Sequence, residues 1–217
     1  MAMRPHLQID FVSDVSCPWC VIGLIALDQA LLRLDDTITV DLTFQPFELN
    51  PKMPPEGEDV IEHLTQKYGG TEADMQRNRD MIKQRGAQLG FHFSMEKRAR
   101  VYNTFDAHRL LHWAQRTGRQ HALKHALFTA YFTDGCDVSS HAVLVASAIK
   151  AGLDGERAAQ ILLTNAYADE VRTSEKIFND QGIHAVPAVI IDREHLISGG
   201  QPAELFEKAL RRIAQAK

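Results

Sequence analysis

The chain has 217 residues, 45% of them hydrophobic and 24% charged, with a formal net charge of −4. That length suits one large domain or one fold carrying a sizeable insertion, and the composition is ordinary for a globular protein. The acidic balance argues against a nucleic-acid surface, which needs a basic field, and no apolar run approaches the roughly eighteen residues of a membrane-spanning helix. Leu7 to Asp14 reads as a first strand ending at a polar turn. From Pro18 to Leu34 the residues Val21, Ile22, Leu24, Ile25, Leu27, Leu31 and Leu34 recur at helical spacing, and Pro18 suits the first turn, where its missing N–H costs nothing. Thr37 to Pro46 alternates through Ile38, Val40, Leu42 and Phe44 as a second strand. Strand, helix and strand with short joins imply a parallel βαβ unit.

The cluster Asn50-Pro51-Lys52-Met53-Pro54-Pro55-Glu56-Gly57 breaks that pattern. Helical patterns follow over Asp59–Tyr68, Thr71–Leu89, Asn103–Thr117, Gln120–Thr133, Ser139–Ala151 and Asp154–Asn165, with little strand character. Ser139 and Asp154 read as caps, and Gly118 and Gly152 as stops. Ala168 to Gln181 is a further helix closed by Gly182. Val186–Asp192 is a buried-type strand, and Asp192 to His195 allows a tight hairpin into a strand over His195–Gly200. Pro202 to Gln215 ends the chain as an amphipathic helix. The order βαβ, helices, αββα is an α/β fold: a thioredoxin-like core split by a large all-helical insertion. The expected division is 1–55 with 166–217 as the core domain and 56–165 as the insertion.

Three cysteines, Cys17, Cys20 and Cys136, are too few for a disulfide scaffold. Cys17 and Cys20 fall one turn apart at a helix start, where free backbone N–H groups and the helix dipole favour a thiolate at Cys17. Cys17 is then the attacking sulfur and Cys20 the resolving one, with Pro18 and Trp19 between them tuning the pair. The competing readings are a metal site and two inert buried thiols. A structural zinc site wants four ligands, and no second Cys-x-x-Cys accompanies this one. His108 and His112 share one helix face at i, i+4, but with no third ligand they read as surface or interface histidines, so no metal is expected. Asp14, three residues before Cys17, is placed to relay protons or tune the thiolates, and equally fits a plain strand-end turn. Cys136, in a loop, is most simply an unpaired thiol.

Ser16-Cys17-Pro18-Trp19-Cys20-Val21-Ile22-Gly23 resembles the start of the FrnE-like branch of the DsbA superfamily. Pro46-Phe47-Glu48-Leu49-Asn50-Pro51, Asn103-Thr104-Phe105-Asp106-Ala107-His108-Arg109-Leu110, Tyr131-Phe132-Thr133 and Ile197-Ser198-Gly199-Gly200-Gln201-Pro202 resemble the same branch, so the likeness spans essentially the whole chain. It implies a DsbA-like fold and dithiol–disulfide exchange through a redox-active Cys17–Cys20 disulfide, with no tightly bound cofactor. It also implies a cis peptide bond at Val186-Pro187, facing the cysteines and presenting backbone to an extended substrate. Asn50 and Asn103 are candidate cleft residues, although helix capping accounts well for Asn103. Kappa-class glutathione transferases and 2-hydroxychromene-2-carboxylate isomerases also resemble this chain. By that likeness Ser198 and Gly199 would help hold a glutathione carboxylate as co-substrate, against a plain turn. A glutathione-dependent isomerase or transferase is therefore the alternative function, and a non-catalytic binding protein a third. The expected partners are a disulfide-containing protein or small thiol and a recycling reductant or oxidant, without nucleic acid or membrane, for a monomer or homodimer. No secretory leader is read at Met1–His6, so the expected location is cytoplasmic, where reduction or isomerisation is easier to sustain than net oxidation.

Overall fold

A computed structural model describes residues 4–217; Met1–Met3, where the expected leader-free start and the first domain segment begin, lie outside the described residues. Strand β1 (His6–Ser13) is the seam of a four-stranded sheet. It pairs in parallel with β2 (Thr39–Pro46) and antiparallel with β5 (Ala188–Ile191), which pairs antiparallel with β6 (His195–Ser198). The sheet order is β2-β1-β5-β6, with Phe11 opposite Phe44 on one side and Val189 on the other. Helix α1 (Pro18–Leu32) makes the crossover between the parallel strands.

Each face of the sheet is buried by a different set of helices. Leu7, Ile9 and Phe11 of β1 with Val189 and Ile191 of β5 join a core with α1 and α9 (Ala203–Gln215). Val12, Ala188 and Ile190 turn to the opposite face and meet Phe178 of α8 (Ala168–Asp180). Because side chains alternate across a strand, burial on both faces explains why β5 reads as an unbroken apolar run. The strand is shorter than Val186–Asp192, because Asp192 and Arg193 take φ of 52° and 62° and already form the hairpin turn.

Between β2 and α8 lie α2 (Val60–Tyr68), α3 (Glu72–Gln88), α4 (Phe105–Gln115), α5 (Gln120–Phe132), α6 (His141–Lys150) and α7 (Gly155–Leu163). Their buried faces continue the same hydrophobic core, through Ile82, Leu110, Leu127, Phe128 and Ile161. Thr71 closes a reciprocal capping box with Asp74, and Asp154 accepts the Arg157 N–H at 3.0 Å. Two sequence expectations are corrected here. The residue before α6 is Ser140, and Ser139 instead bonds Asp137 at 2.6 Å. The segment is also not wholly helical, for β3 (Glu58–Asp59) pairs antiparallel with β4 (Arg100–Val101). Two residues per strand, mostly charged and far apart in sequence, leave no periodicity to read.

Buried Arg109 ties α4 to the end of α7 and the approach to α8. Its guanidinium donates to the carbonyls of Ile161, Thr164 and Ala166 and to Asp106. It thereby satisfies helix-end acceptors that would otherwise be stranded in the core.

Candidate functional site

Cys17 occupies the N-cap of α1 with extended backbone (φ −93°, ψ 113°), and Pro18 opens the first turn. The Cys17 N–H donates to the Asp14 carbonyl at 3.3 Å, and the Cys20 N–H to the Cys17 carbonyl at 3.1 Å, so the two thiols sit one turn apart. The Cys17 sulfur takes no capping hydrogen bond from the helix-end N–H groups, and no acidic residue lies in the first turn, so the positive dipole end of α1 is what acts on position 17. Both cysteines are free thiols; Cys17 is 4% exposed and Cys20 fully buried. The Cys17 Sγ lies 3.7 Å from the Val186 carbonyl oxygen, and the Val186–Pro187 bond is cis.

Glycine permits this juxtaposition at two positions. A Cβ on Gly23 would stand 3.1 Å from Pro187 Cγ, and one on Gly200 would stand 2.9 Å from the Trp19 carbonyl oxygen. Helix α1 can approach the Gly200 loop this closely because position 200 lacks a side chain, whereas a side chain at position 23 would require Pro187 to give by a few tenths of an ångström.

Beneath the helix start lies a polar group inside the core. Asp14 accepts the Leu49 N–H at 2.7 Å, the Ser16 hydroxyl at 3.0 Å and the Ser16 N–H at 3.2 Å. His108 Nε2 stands 3.6 Å from Asp14 Oδ1, with both side chains buried. Burial pushes the Asp14 carboxyl upward, but His108, the Leu49 N–H and Thr104 outweigh it and bring the pKa down to about 2. Lys124 is fully buried, its Nζ without a hydrogen-bond partner among the described residues and 5.1 Å from the Phe128 ring centre. Burial draws its pKa down to about 8, against the pull of Cys20, Asp14 and Cys17. Burial raises the Cys20 thiol well above its ordinary value, and its bond to Cys17 adds to the rise, while Lys124 opposes it. Cys20 thus keeps its proton in the folded chain.

On the solvent side, Cys17, Pro18, Trp19 and Val186 line a cleft of about 380 Å³ whose opposite wall is α2, α3 and β4. Val60, Leu64, Met75, Ile82, Met95 and Val101 make that wall apolar, while Lys67, Arg79 and Arg98 make it basic. Asn50 also lines the cleft. Its Oδ1 accepts from Lys67 Nζ at 2.6 Å and lies 2.9 Å from His63 Nε2. Arg85 lies over the Trp19 ring at 5.6 Å.

The structure thus gathers Cys17, Cys20, Asp14, Pro18, Trp19, Asn50, Val186 and Pro187 around one helix start. Asn103 is placed otherwise: its Oδ1 accepts the Phe105 N–H at 2.9 Å at the start of α4, and its amide reaches Glu48 at 3.3 Å. Ser198 is exposed at the end of β6, and the Gly199 N–H is already donated to the Pro187 carbonyl at 2.8 Å. Cys136 is partly buried in the loop after α5. The surface reading of His108 is corrected, since it is 2% exposed beside Asp14; His112 is half-buried against Tyr167. Lys124 was missed altogether. Its signal was its place on the apolar stripe of α5, one turn after buried Gln120 and one turn before Phe128.

Residues 8–211 match the family of the DSBA-like thioredoxin domain. The chain is similar to a crystal structure of a probable DsbA oxidoreductase from Streptomyces coelicolor, at 35% identity and a TM-score of 0.90, over 98% of this chain and 91% of that one. It is 27% identical to the uncharacterised protein YwbO of Bacillus subtilis over 96% of each chain. At 15% identity it shares its fold with a cytosolic disulfide reductase, DsbM from Pseudomonas aeruginosa, solved with GSH, at a TM-score of 0.67 over 96% of this chain and 99% of that one. The chain belongs to the DSBA-like thioredoxin domain family, whose oxidoreductase members its fold resembles throughout.

Proposed function

We propose that this chain catalyses thiol–disulfide exchange through Cys17 and Cys20. The observation that carries the reading is the asymmetry of the pair: Cys17 borders the cleft at a helix N-terminus, while Cys20 is buried with its pKa raised. The Cys17 thiolate attacks one sulfur of a substrate disulfide, forming a mixed disulfide and releasing the other substrate sulfur as a thiolate. Cys20 then gives up its proton and attacks Cys17, closing the Cys17–Cys20 disulfide and releasing the second substrate thiol. Two electrons pass to the substrate, and a recycling thiol couple returns them; the same steps reversed oxidise a dithiol. The buried ammonium of Lys124 lowers the cost of a thiolate at Cys20 during resolution.

Val186 offers its carbonyl beside the Cys17 sulfur, which suits an extended peptide carrying the disulfide. Lys67 and Arg79 in the cleft suit an anionic small thiol of the glutathione class as co-substrate. The FrnE-like motifs, a cytoplasmic setting and the division into a redox core (1–55 and 166–217) and an insertion (56–165) that walls the cleft belong to the same proposal. Insulin reduction and mixed-disulfide trapping on Cys17→Ser and Cys20→Ser test it. Cys17→Ser should bring turnover to background, and Cys20→Ser should accumulate a mixed disulfide at Cys17. Full activity in Cys17→Ser would overturn the reading.

A further inference from the structure

Away from the cleft, α1 and α5 meet again through three side chains that the exchange chemistry does not use. His121 Nε2 lies 2.8 Å from Asp28 Oδ1, and His125 Nε2 lies 2.9 Å from Asp28 Oδ2. The three ligand atoms all fall within 4.8 Å of one another, and the two imidazole rings stand 4.6 Å apart. His121 and His125 are one turn apart on α5, so both rings project from one face toward the same carboxylate.

We propose that Asp28, His121 and His125 form a binding site for a divalent transition-metal ion of the zinc class, bridging the redox helix α1 to α5. Two imidazoles and one carboxylate are the donors that borderline ions of this class prefer. With ligand bonds of roughly 2.0–2.2 Å, tetrahedral donors stand about 3.4 Å apart, so the two nitrogen–oxygen separations of 2.8 and 2.9 Å need to open by about half an ångström. One central dication would take a lone pair from each imidazole and from the carboxylate together. The side chains are 27%, 49% and 34% exposed for Asp28, His121 and His125, which leaves a fourth position open to water. The ion would act as a clamp, since α5 also carries Lys124 beneath Cys20.

The test uses the full chain with its cysteine pair first oxidised, so that the dithiol cannot compete for metal. Titration with Co²⁺ should give one saturable site with d–d absorption and no thiolate-to-metal charge-transfer band. Zn²⁺ should displace the cobalt and raise the thermal midpoint. His121→Ala and His125→Ala should each weaken binding at least tenfold and remove the midpoint shift, while circular dichroism remains that of the wild type. Asp28→Asn should weaken binding as well, for the loss of charge alone. The proposal is overturned by no saturable binding, by a thiolate signature, or by affinity unchanged in both histidine variants. None of these outcomes bears on Cys17 exchange, so the two proposals fail separately.

Discussion

Cys17 and Cys20 share one helical turn, yet one borders an apolar and basic cleft while the other faces Lys124 and the Asp14 backbone inside the core. On the cleft side, the Cys17 sulfur sits at the positive end of α1, 3.7 Å from the Val186 carbonyl oxygen. On the core side, water is excluded, so every charge acts at close range and a proton is held unless a partner charge offsets its loss. In the proposed exchange, the cleft-side sulfur would attack first and the buried one would act only after a mixed disulfide has formed. On that reading the environment, more than the motif, sets the order of events.

The sharpest way to break the contrast is Lys124→Met. Without the buried ammonium, the Cys20 thiolate should become harder to form, its pKa rising further, and resolution of the mixed disulfide should slow about tenfold at fixed pH. Quenched-flow trapping of the intermediate measures the rate. Urea unfolding should show the variant more stable by about 1–3 kcal/mol, because a buried charge without a hydrogen-bond partner has been replaced by an apolar side chain. Unchanged resolution would remove Lys124 from the chemistry.

Asp14→Asn tests the same side through pH. The Asp14 carboxyl is depressed in the folded chain to about 2, so it binds its proton more readily once unfolded. The stability it contributes is complete above the ordinary carboxylate range and is lost as pH falls through about 4 toward 2, amounting to about 2 kcal/mol. Urea midpoints across that window should fall for the wild type and flatten by that amount in Asp14→Asn. The smallest expected effect lies on the loop side. Gly200→Ala places a methyl against the Trp19 carbonyl, where backbone must shift, and should cost about 1 kcal/mol. Thermal unfolding measures it, and insulin turnover should fall modestly as Trp19 moves at the rim.

Two histidine pairs show where sequence reasoning stopped. His108 and His112 have the i, i+4 spacing of a ligand pair, and so do His121 and His125. In the fold the first pair divides, with His108 drawn into the core beside Asp14 and His112 packed on Tyr167. The second pair converges on Asp28, which lies 93 residues from His121 in sequence. Helical spacing specifies which side chains share a face, but not what that face meets. The β3–β4 ribbon escaped for a related reason, since its pairing is a meeting of distant loops without a pattern of its own.

Local signals in the sequence were enough for the order of the main-sheet strands and the helices, the helix start that carries Cys17 and Cys20, and the loop that brings Val186 and Pro187 before β5. Those features follow from apolar periodicity, proline and glycine placement and a short cysteine spacing, all of which act within a few residues. That Cys20 faces Lys124, that Asp14 accepts from Leu49 with His108 3.6 Å away, and that the Gly199 N–H is donated to Pro187 emerged only from the packing of distant segments. Those outcomes depend on which helix packs against which, where burial amplifies charge and hydrogen bonding. The motif's placement at a helix start was legible residue by residue, and its electrostatic environment was assembled by the fold.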